Sequence, residues 1–306
     1  MTTLRELLRR GRSLLEGKVA APAIEAKILL LEAVRIGEVE WLASPRRRIA
    51  RREESRYQRL IERRLSGVPL AYITGKKEFW SLTLRVGPGV LIPRPETELI
   101  VERVLELDGS GRRTSPTIVD IGTGSGNIAL TLAKELPRAR IVATDVSAKA
   151  LRHAERNARE NRLTNVTFVR GSLFDALRGL GLEGKCDFIV SNPPYVSSSE
   201  WETLPAEIRD NEPRRALVGG RTGLEFIGRL VRSAPAFLKP GGWLLFEVGA
   251  GQAGKVVALL EQNALARYYS EARSFSDLRG IRRVIQSRKN ELGDVPKFRG
   301  VSRGGG

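Results

Sequence analysis

Thr117-Ile118-Val119-Asp120-Ile121-Gly122-Thr123-Gly124-Ser125-Gly126 is an apolar, β-forming run that breaks into three glycines and then gives way to a helical pattern over Asn127–Glu135. Glycines there let the backbone turn sharply and approach a ligand closely, and the helix that follows presents a positive N-terminus. Further along, the same alternation recurs. Strand patterns cover 140–144, 166–170, 186–191 and 242–248, with a closing pair at 268–274 and 282–287. Helical periodicity fits 148–161, 224–234 and 252–261 between them. Alternation of this kind predicts an α/β fold with a doubly wound, mostly parallel sheet, and the strand patterns number seven.

In such a sheet ligands bind beyond the carboxyl ends of the strands. The residues there are therefore the candidate cofactor site: Asp120, Gly122, Thr123, Gly124 and Gly126 after the first strand, and Asp145 with Val146 after the second. A carboxylate at Asp145 can accept from both hydroxyls of a ribose. Ser172 and Leu173, after the third strand, suit contacts to an adenine edge and face, although an ordinary strand-to-helix loop would read the same way. A glycine loop and a ribose-binding acid fit NAD as well as S-adenosylmethionine. The fourth strand separates them, because it ends in Ser191-Asn192-Pro193-Pro194-Tyr195, which has no role in hydride transfer.

Asn192, Pro193, Pro194 and Tyr195 have a chemistry of their own. The nitrogen of an amide or aromatic amine is a poor nucleophile, since its lone pair is delocalised. The Asn192 side-chain carbonyl and the Pro193 backbone carbonyl can each accept one N–H, leaving the out-of-plane lobe aimed at a methyl donor. As positive charge builds on the nitrogen, the same dipoles stabilise it more strongly. Both prolines stiffen the loop without adding donors, and Tyr195 offers a flat wall beside a planar group. Asn192, Pro193 and Tyr195 are thus the candidate catalytic residues, all four residues are the candidate acceptor site, and Asn192 also borders the donor.

Outside this region the chain is ordinary for a water-soluble protein: 306 residues, 41% hydrophobic and 28% charged, with no run near the roughly 18 apolar residues that span a membrane. Residues 1–70 read as a helical domain, with apolar faces at Leu4, Leu7, Leu8, Leu14 and Leu15 and at Ala26, Leu29, Leu30 and Ala33, and a third, arginine-rich helix over 49–65. That helix carries Arg51, Arg52, Arg56, Arg59, Arg63 and Arg64 among Glu53, Glu54 and Glu62, which fits a solvated face or a phosphate track. From 72 to 93 the pattern is strand-like, so 71–94 is expected to be a β-hairpin linker. Pro95 and Glu96 suit the first turn of a helix, a polar linker covers 108–115, and 289–306 has little to bury and is expected to be a disordered tail after the catalytic domain of 95–288. Arg5, Arg9, Arg10 and Arg12 with Glu6 lack the apolar core of a secretory signal; a mitochondrial presequence would also be arginine-rich and amphipathic, Glu6 and Glu16 argue against it, and the expected compartment by default is the cytoplasm. A single cysteine, Cys186, and a single histidine, His153, exclude a disulfide framework and leave no set of ligands for a metal; Cys186 reads as a buried thiol and His153 as a surface residue. The net charge of +17 fits association with RNA or a ribosome, or a solvated arginine-rich surface.

Taken together, Pro69-Leu70-Ala71-Tyr72-Ile73-Thr74-Gly75, the block from Pro88 to Glu98, the glycine loop and Asn192 to Tyr195 closely resemble the HemK/PrmC family of peptide chain release factor glutamine methyltransferases, and the likeness runs from Leu4 to Ile285. Glu212-Pro213 and Gly219-Gly220 also match. What the resemblance implies is a class I, Rossmann-like methyltransferase domain behind a small helical substrate-recognition domain, with S-adenosylmethionine as cofactor. Its implied partner is a class 1 release factor, methylated on the glutamine of its Gly-Gly-Gln loop in support of translation termination. Arg94, Glu96 and Thr97 would line the entrance to the site. Ser172 departs from the family, which commonly has an aspartate near adenine; Thr222 and Ile281-Arg282 depart as well. Asn-Pro-Pro-Tyr alone leaves two other acceptors open, a ribosomal-protein glutamine and an exocyclic amine of a nucleic-acid base.

Overall fold

The computed structural model describes residues 2–109 and 115–291, so residues 110–114 of the expected linker and 292–306 of the expected tail lie outside the described residues. Two compact units emerge, Met1–Lys76 with Pro205–Asn211, and Lys77–Leu204 with Glu212–Gly306.

The first unit is helical: α1 (Leu4–Leu15), α2 (Pro22–Val34), α3 (Glu38–Ala43), α4 (Arg51–Leu65) and α5 (Leu70–Thr74). α1 begins in a reciprocal cap, where Glu6 N donates to Thr3 Oγ1 at 3.3 Å and Thr3 N donates to the Glu6 carboxylate at 2.8 Å. Leu4, Leu7, Leu29, Leu30 and Ile61 form its core. At Gly11 a Cβ would run into the Tyr57 phenol, so glycine lets that ring lie against α1 while its hydroxyl donates to Ala26 O at 3.2 Å. Arg64 leaves the basic face on which its neighbours Arg59 and Arg63 are exposed. Its guanidinium turns inward to Glu25 at 2.5 Å and to Glu207, on the short helix Ala206–Arg209, at 2.9 Å. The expectation of strand over 72–93 holds only for 76–79 and 82–85. Pro69 starts a helical turn, Gly75 at φ +72° ends it, and Tyr72 and Ile73 are buried on it.

In the second unit the chain enters through the hairpin β1 (Lys76–Phe79) and β2 (Leu82–Arg85), then the 3-10 turn Pro95–Thr97 and α6 (Glu98–Asp108). There follow β3 (Thr117–Ile121), α7 (Asn127–Glu135), β4 (Arg140–Asp145), α8 (Ala148–Glu160), β5 (Val166–Arg170) and β6 (Cys186–Ser191). Two short strands, β7 (Val196–Ser197) and β8 (Val218–Gly220), pair with each other apart from the main sheet. β9 (Leu238–Glu247), β10 (Tyr269–Ser276) and β11 (Arg282–Lys289) complete the set.

The main sheet has seven strands in the order β10-β11-β9-β6-β3-β4-β5, as expected of a class I methyltransferase fold. β9, β6, β3, β4 and β5 run parallel, while β11 is antiparallel to both its neighbours. Side chains alternate between two cores. Val119, Ile121 and Ile189 face the helices Glu225–Ser233 and Ala253–Glu261. Ile118, Phe188 and Val190 face α6, α7 and the hairpin through Phe79, Leu82 and Leu84. Burial on both faces is why these strands are nearly continuous in apolar residues. β11 runs one residue into the expected tail: Lys289 is buried, its ammonium donating to Pro235 O and Leu238 O at 2.7 Å each. Chain order reverses between β3 and β6, and the crevice at their carboxyl ends is where such sheets bind ligands.

Candidate active site

Beyond β3 the glycine loop folds over the ends of the strands. Gly122, Gly124 and Gly126 adopt φ of +77°, +59° and +88°, conformations that cost an L residue about 1–2 kcal/mol each. Gly122 N and Thr123 N both donate to Thr144 O, at 2.9 and 2.8 Å, which ties the loop to β4. A Cβ on Gly126 would press on Leu130 and Ala154, whereas one on Gly122 or Gly124 would meet nothing within 4 Å. The last two therefore face open space.

That space is a cavity of about 420 Å³. Gly122, Thr123, Gly124, Asp145, Val146, Ser172 and Leu173 line one side of it, and Asn192, Pro193 and Pro194 line another. Asp145 Oδ2 accepts from Gly124 N at 3.0 Å and Oδ1 from Ser147 N at 2.8 Å. Burial raises its pKa above the usual carboxylate range, opposed by those two amides and by Arg215. Val146 is half exposed, an apolar surface left at the cavity wall. Leu173 sits at φ +47°, a strained conformation for a branched residue and a common mark of a ligand site.

Two predicted cofactor residues stand behind this wall rather than on it. Gly126 caps the start of α7 against Leu130 and Ala154, and Asp120 is fully buried, its Oδ2 accepting from Thr123 Oγ1 at 2.6 Å while Oδ1 has no partner among the described residues. Burial pushes the Asp120 carboxyl up to about 7, the Thr123 hydrogen bond opposes the shift, and nearby Asp145 adds to it.

At the other side, Asn192 Nδ2 donates to Thr97 Oγ1 at 3.0 Å, and Thr97 Oγ1 donates to Glu247 Oε2 at 2.5 Å. Glu247 Oε1 accepts from Tyr195 OH at 3.0 Å. Thr97 and Glu247 are almost wholly buried, and burial raises the Glu247 carboxyl while the two hydroxyls and Arg283 oppose it. Among the described residues none donates to Asn192 Oδ1. Tyr195, expected as a flat wall, is not on the cavity lining. Its ring packs against the sheet core beside Gly249, and its backbone carbonyl accepts from Gln252 Nε2 at 2.8 Å.

Arg94 and Glu96 are likewise committed elsewhere. Arg94 pairs with Glu212, which also accepts from Ile92 N at 3.0 Å, and Glu96 pairs with Arg279. His153 is half-buried rather than on the surface, because it packs at Gly87 after the hairpin, and desolvation lowers its pKa. Cys186 is fully buried.

What the residue pattern missed is the support of the Asn192 loop. β7 and β8 pair Val196 with Val218, and a Cβ on Gly219 or Gly223 would overlap the carbonyl oxygens of Pro194 or Tyr195. Glu247 was legible in principle, as a lone carboxylate closing an apolar strand.

Residues 6–75 match the PrmC N-terminal domain family and residues 96–209 the Methyltransferase small domain family. Proteins described as release factor glutamine methyltransferase are similar over most of the chain. That of Moorella thermoacetica is 45% identical over 84% of this chain and 89% of its own. Those of Koribacter versatilis and Nitratidesulfovibrio vulgaris are both 40% identical, over 88% and 95% of this chain and 92% and 96% of their own. Among solved structures, the catalytic domain of hMettl16 in complex with the MAT2A 3′UTR hairpin 6 aligns with a TM-score of 0.54 at 19% identity, covering 77% of this chain and 83% of that one. At that identity the likeness concerns the fold.

Proposed function

The chain belongs to the family of release factor glutamine methyltransferases, and from that premise we propose that it methylates the side-chain amide nitrogen of the glutamine in the Gly-Gly-Gln loop of class 1 peptide chain release factors, with S-adenosylmethionine as donor. The observation that carries this reading is Asn192 on the cavity wall, its side-chain carbonyl without a donor among the described residues. Its NH2 end is engaged by Thr97, so the end offered to an incoming amide is an acceptor.

The residues present fit the cofactor. Each Asp145 oxygen accepts one backbone N–H and keeps a lone pair for a ribose hydroxyl. Val146 and Leu173 offer apolar surface to an adenine, with Ser172 at its edge, and Gly122 and Gly124 leave room at the loop for a close backbone approach. Among the described residues, Ser125 Oγ and Asp120 Oδ1 are buried without a partner beside that loop. When bound, S-adenosylmethionine supplies a sulfonium methyl group.

Asn192 Oδ1 and the Pro193 carbonyl hold the two amide hydrogens, which fixes the nitrogen's plane and turns its lobe toward the donor. Positive charge developing on that nitrogen is met by the same two dipoles, so they stabilise the transition state more than the ground state. No described residue is placed as a strong base there, and the proton lost afterwards goes to water from an acidic N-methylated amide cation. Pro194 stiffens the loop, and Tyr195 contributes from behind it. Arg94 and Glu96 act at the approach to the site through their ion pairs with Glu212 and Arg279. Release factors work in translation, which puts the reaction in the cytoplasm.

Labelled S-adenosylmethionine incubated with purified release factor, ribosomal proteins, RNA and DNA tests the assignment. Label is expected in the release factor and absent when its Gly-Gly-Gln glutamine is replaced by alanine. Label confined to a ribosomal protein or to nucleic acid overturns it.

A further inference from the structure

Resting on that reading of Asn192, we propose that Thr97 and Glu247 are positioning residues that set which end of the Asn192 amide faces the substrate and anchor both ends of the Asn192–Tyr195 loop on one carboxylate. An asparagine amide is nearly symmetric in shape, and its two ends differ by a rotation of about 180° about its terminal torsion. Only one end can serve an acceptor amide: oxygen toward the substrate receives an N–H, whereas NH2 toward the substrate meets another donor. Something must choose between them.

Here the choice follows from the order of donors. Burial raises the Glu247 carboxyl, but the Thr97 and Tyr195 hydroxyls and Arg283 favour its charged form, and as a carboxylate it only accepts. It lies within 2.5 Å of Thr97 Oγ1, so the threonine proton is committed to it. Thr97 Oγ1 then has only lone pairs left for Asn192, and the asparagine must turn its NH2 toward it, at 3.0 Å. Reversing the amide would set two acceptor oxygens against each other in a buried place, with Thr97 at 0% and Glu247 at 1% exposure. An unsatisfied pair of that kind costs about 1–3 kcal/mol. The other Glu247 oxygen takes the Tyr195 hydroxyl at 3.0 Å. One side chain at the end of β9 thereby holds the first residue of the loop through Thr97 and the last directly. β9 is paired on both sides, to β6 and β11, so the anchor is part of the sheet rather than of a loop. Neither Thr97 nor Glu247 lines the cavity, so both act through Asn192 and Tyr195.

Thr97→Val removes the hydroxyl and keeps the branched volume. It is expected to lower kcat for release factor methylation by about 10- to 100-fold through misorientation, with cofactor Kd within twofold of wild type by calorimetry. Thr97→Ser restores the hydroxyl and should keep most of kcat. Glu247→Met, which takes the acceptor from Thr97 and the partner from Tyr195, should lose at least as much kcat as Thr97→Val. Once Asn192 is alanine there is nothing to orient, so adding Thr97→Val should cause no further loss. Independently of turnover, NMR of the Asn192 side-chain NH2 should show slowed hydrogen exchange in the wild type that is lost in Thr97→Val. Wild-type kcat in Thr97→Val, a further loss on top of Asn192→Ala, or identical exchange in wild type and Thr97→Val each overturns the proposal. A wild type that labels no release factor overturns the function proposed above, and the exchange measurement still decides the orientation of Asn192.

Discussion

The glycine loop after β3 and the Asn192–Tyr195 loop after β6 sit at the ends of adjacent strands and line one cavity, yet they are held in opposite ways. The first is shaped by itself: its conformation comes from three left-handed glycines, and its ties run to Thr144 and Asp145 on the next strand. The second is two prolines between residues that depend on distant partners: Thr97 ahead of α6, Glu247 on β9, Gln252 after it, and Gly219 and Gly223 around β8. On the function proposed above, holding a cofactor and orienting an acceptor are separable tasks, and substitutions in one loop should leave the other's task intact.

The sharpest way to break that separation is Asn192→Ala. It removes the acceptor proposed to orient the substrate amide, and kcat is expected to fall by about 10³-fold, the scale of losing a preorganised transition-state dipole. Cofactor Kd, measured by calorimetry, should stay within about threefold, the scatter expected of a site that keeps its other contacts. A tenfold weakening of the cofactor would mean that Asn192 belongs to both loops' work. Next in size is Gly223→Ala. Gly223 has φ +80°, and a methyl there would overlap Tyr195 O, so the acceptor loop must shift; a displacement near 1 Å costs about 10²-fold in rate. Single-turnover kinetics at saturating cofactor would register this, and an unchanged rate would show that the loop does not rely on its distant supports.

This difference also explains what could be read from the chain alone. β3, β5 and β6 were expected at the residues where they occur: β3 and β6, buried on both faces, are written as nearly unbroken apolar runs, and β5, the partly exposed edge strand, as a short β-branched and aromatic run between turn residues. Gly122, Gly124 and Asp145, singled out from the sequence, do line the cavity, since a self-shaped loop carries its instructions in its own residues. Thr97 and Glu247 were not legible as parts of the acceptor machinery. A single buried threonine and a carboxylate 150 positions apart show their relation only after the sheet brings them together. Tyr195 was misplaced by the same limit: a tyrosine beside a planar-group motif suggests a stacking wall, but its hydroxyl had a partner on β9 that no spacing announces. Tyr72 fell inside the strand-like stretch 72–93, while the Pro69 and Gly75 that bound a helical turn decided otherwise.

A milder break concerns the cofactor end. Asp145→Ala removes the acceptor proposed for the ribose hydroxyls and also frees Gly124 N. Two hydrogen bonds to a charged group at about 1.5 kcal/mol each would be worth roughly 10²-fold in Kd, and partial replacement by water lowers the expectation to 10- to 100-fold. At saturating cofactor kcat should return to near the wild-type value, because Asn192, Thr97 and Glu247 are untouched. A kcat that stays low under saturation would couple the two loops.

The smallest effect should come from Ser172→Asp, which restores the acid that the family commonly carries. Ser172 is exposed at the cavity edge, and the turn bearing it is stiff, because Leu173 holds φ +47° and Gly171 packs against the backbone of Ala176. A carboxylate one atom longer than the serine hydroxyl would reach an exocyclic amine without moving that turn. A charge-assisted hydrogen bond is worth up to about 3 kcal/mol when buried and about 1 kcal/mol when exposed, so cofactor Kd should tighten by about fivefold with kcat unchanged. Weaker binding in Ser172→Asp would mean that the cavity edge faces something other than an amine donor, and the adenine would have to be assigned to another part of the cofactor side. Tighter binding would show that a loop shaped by its own residues can be retuned by one residue, which the Asn192 loop, dependent on partners from four separate segments, does not allow.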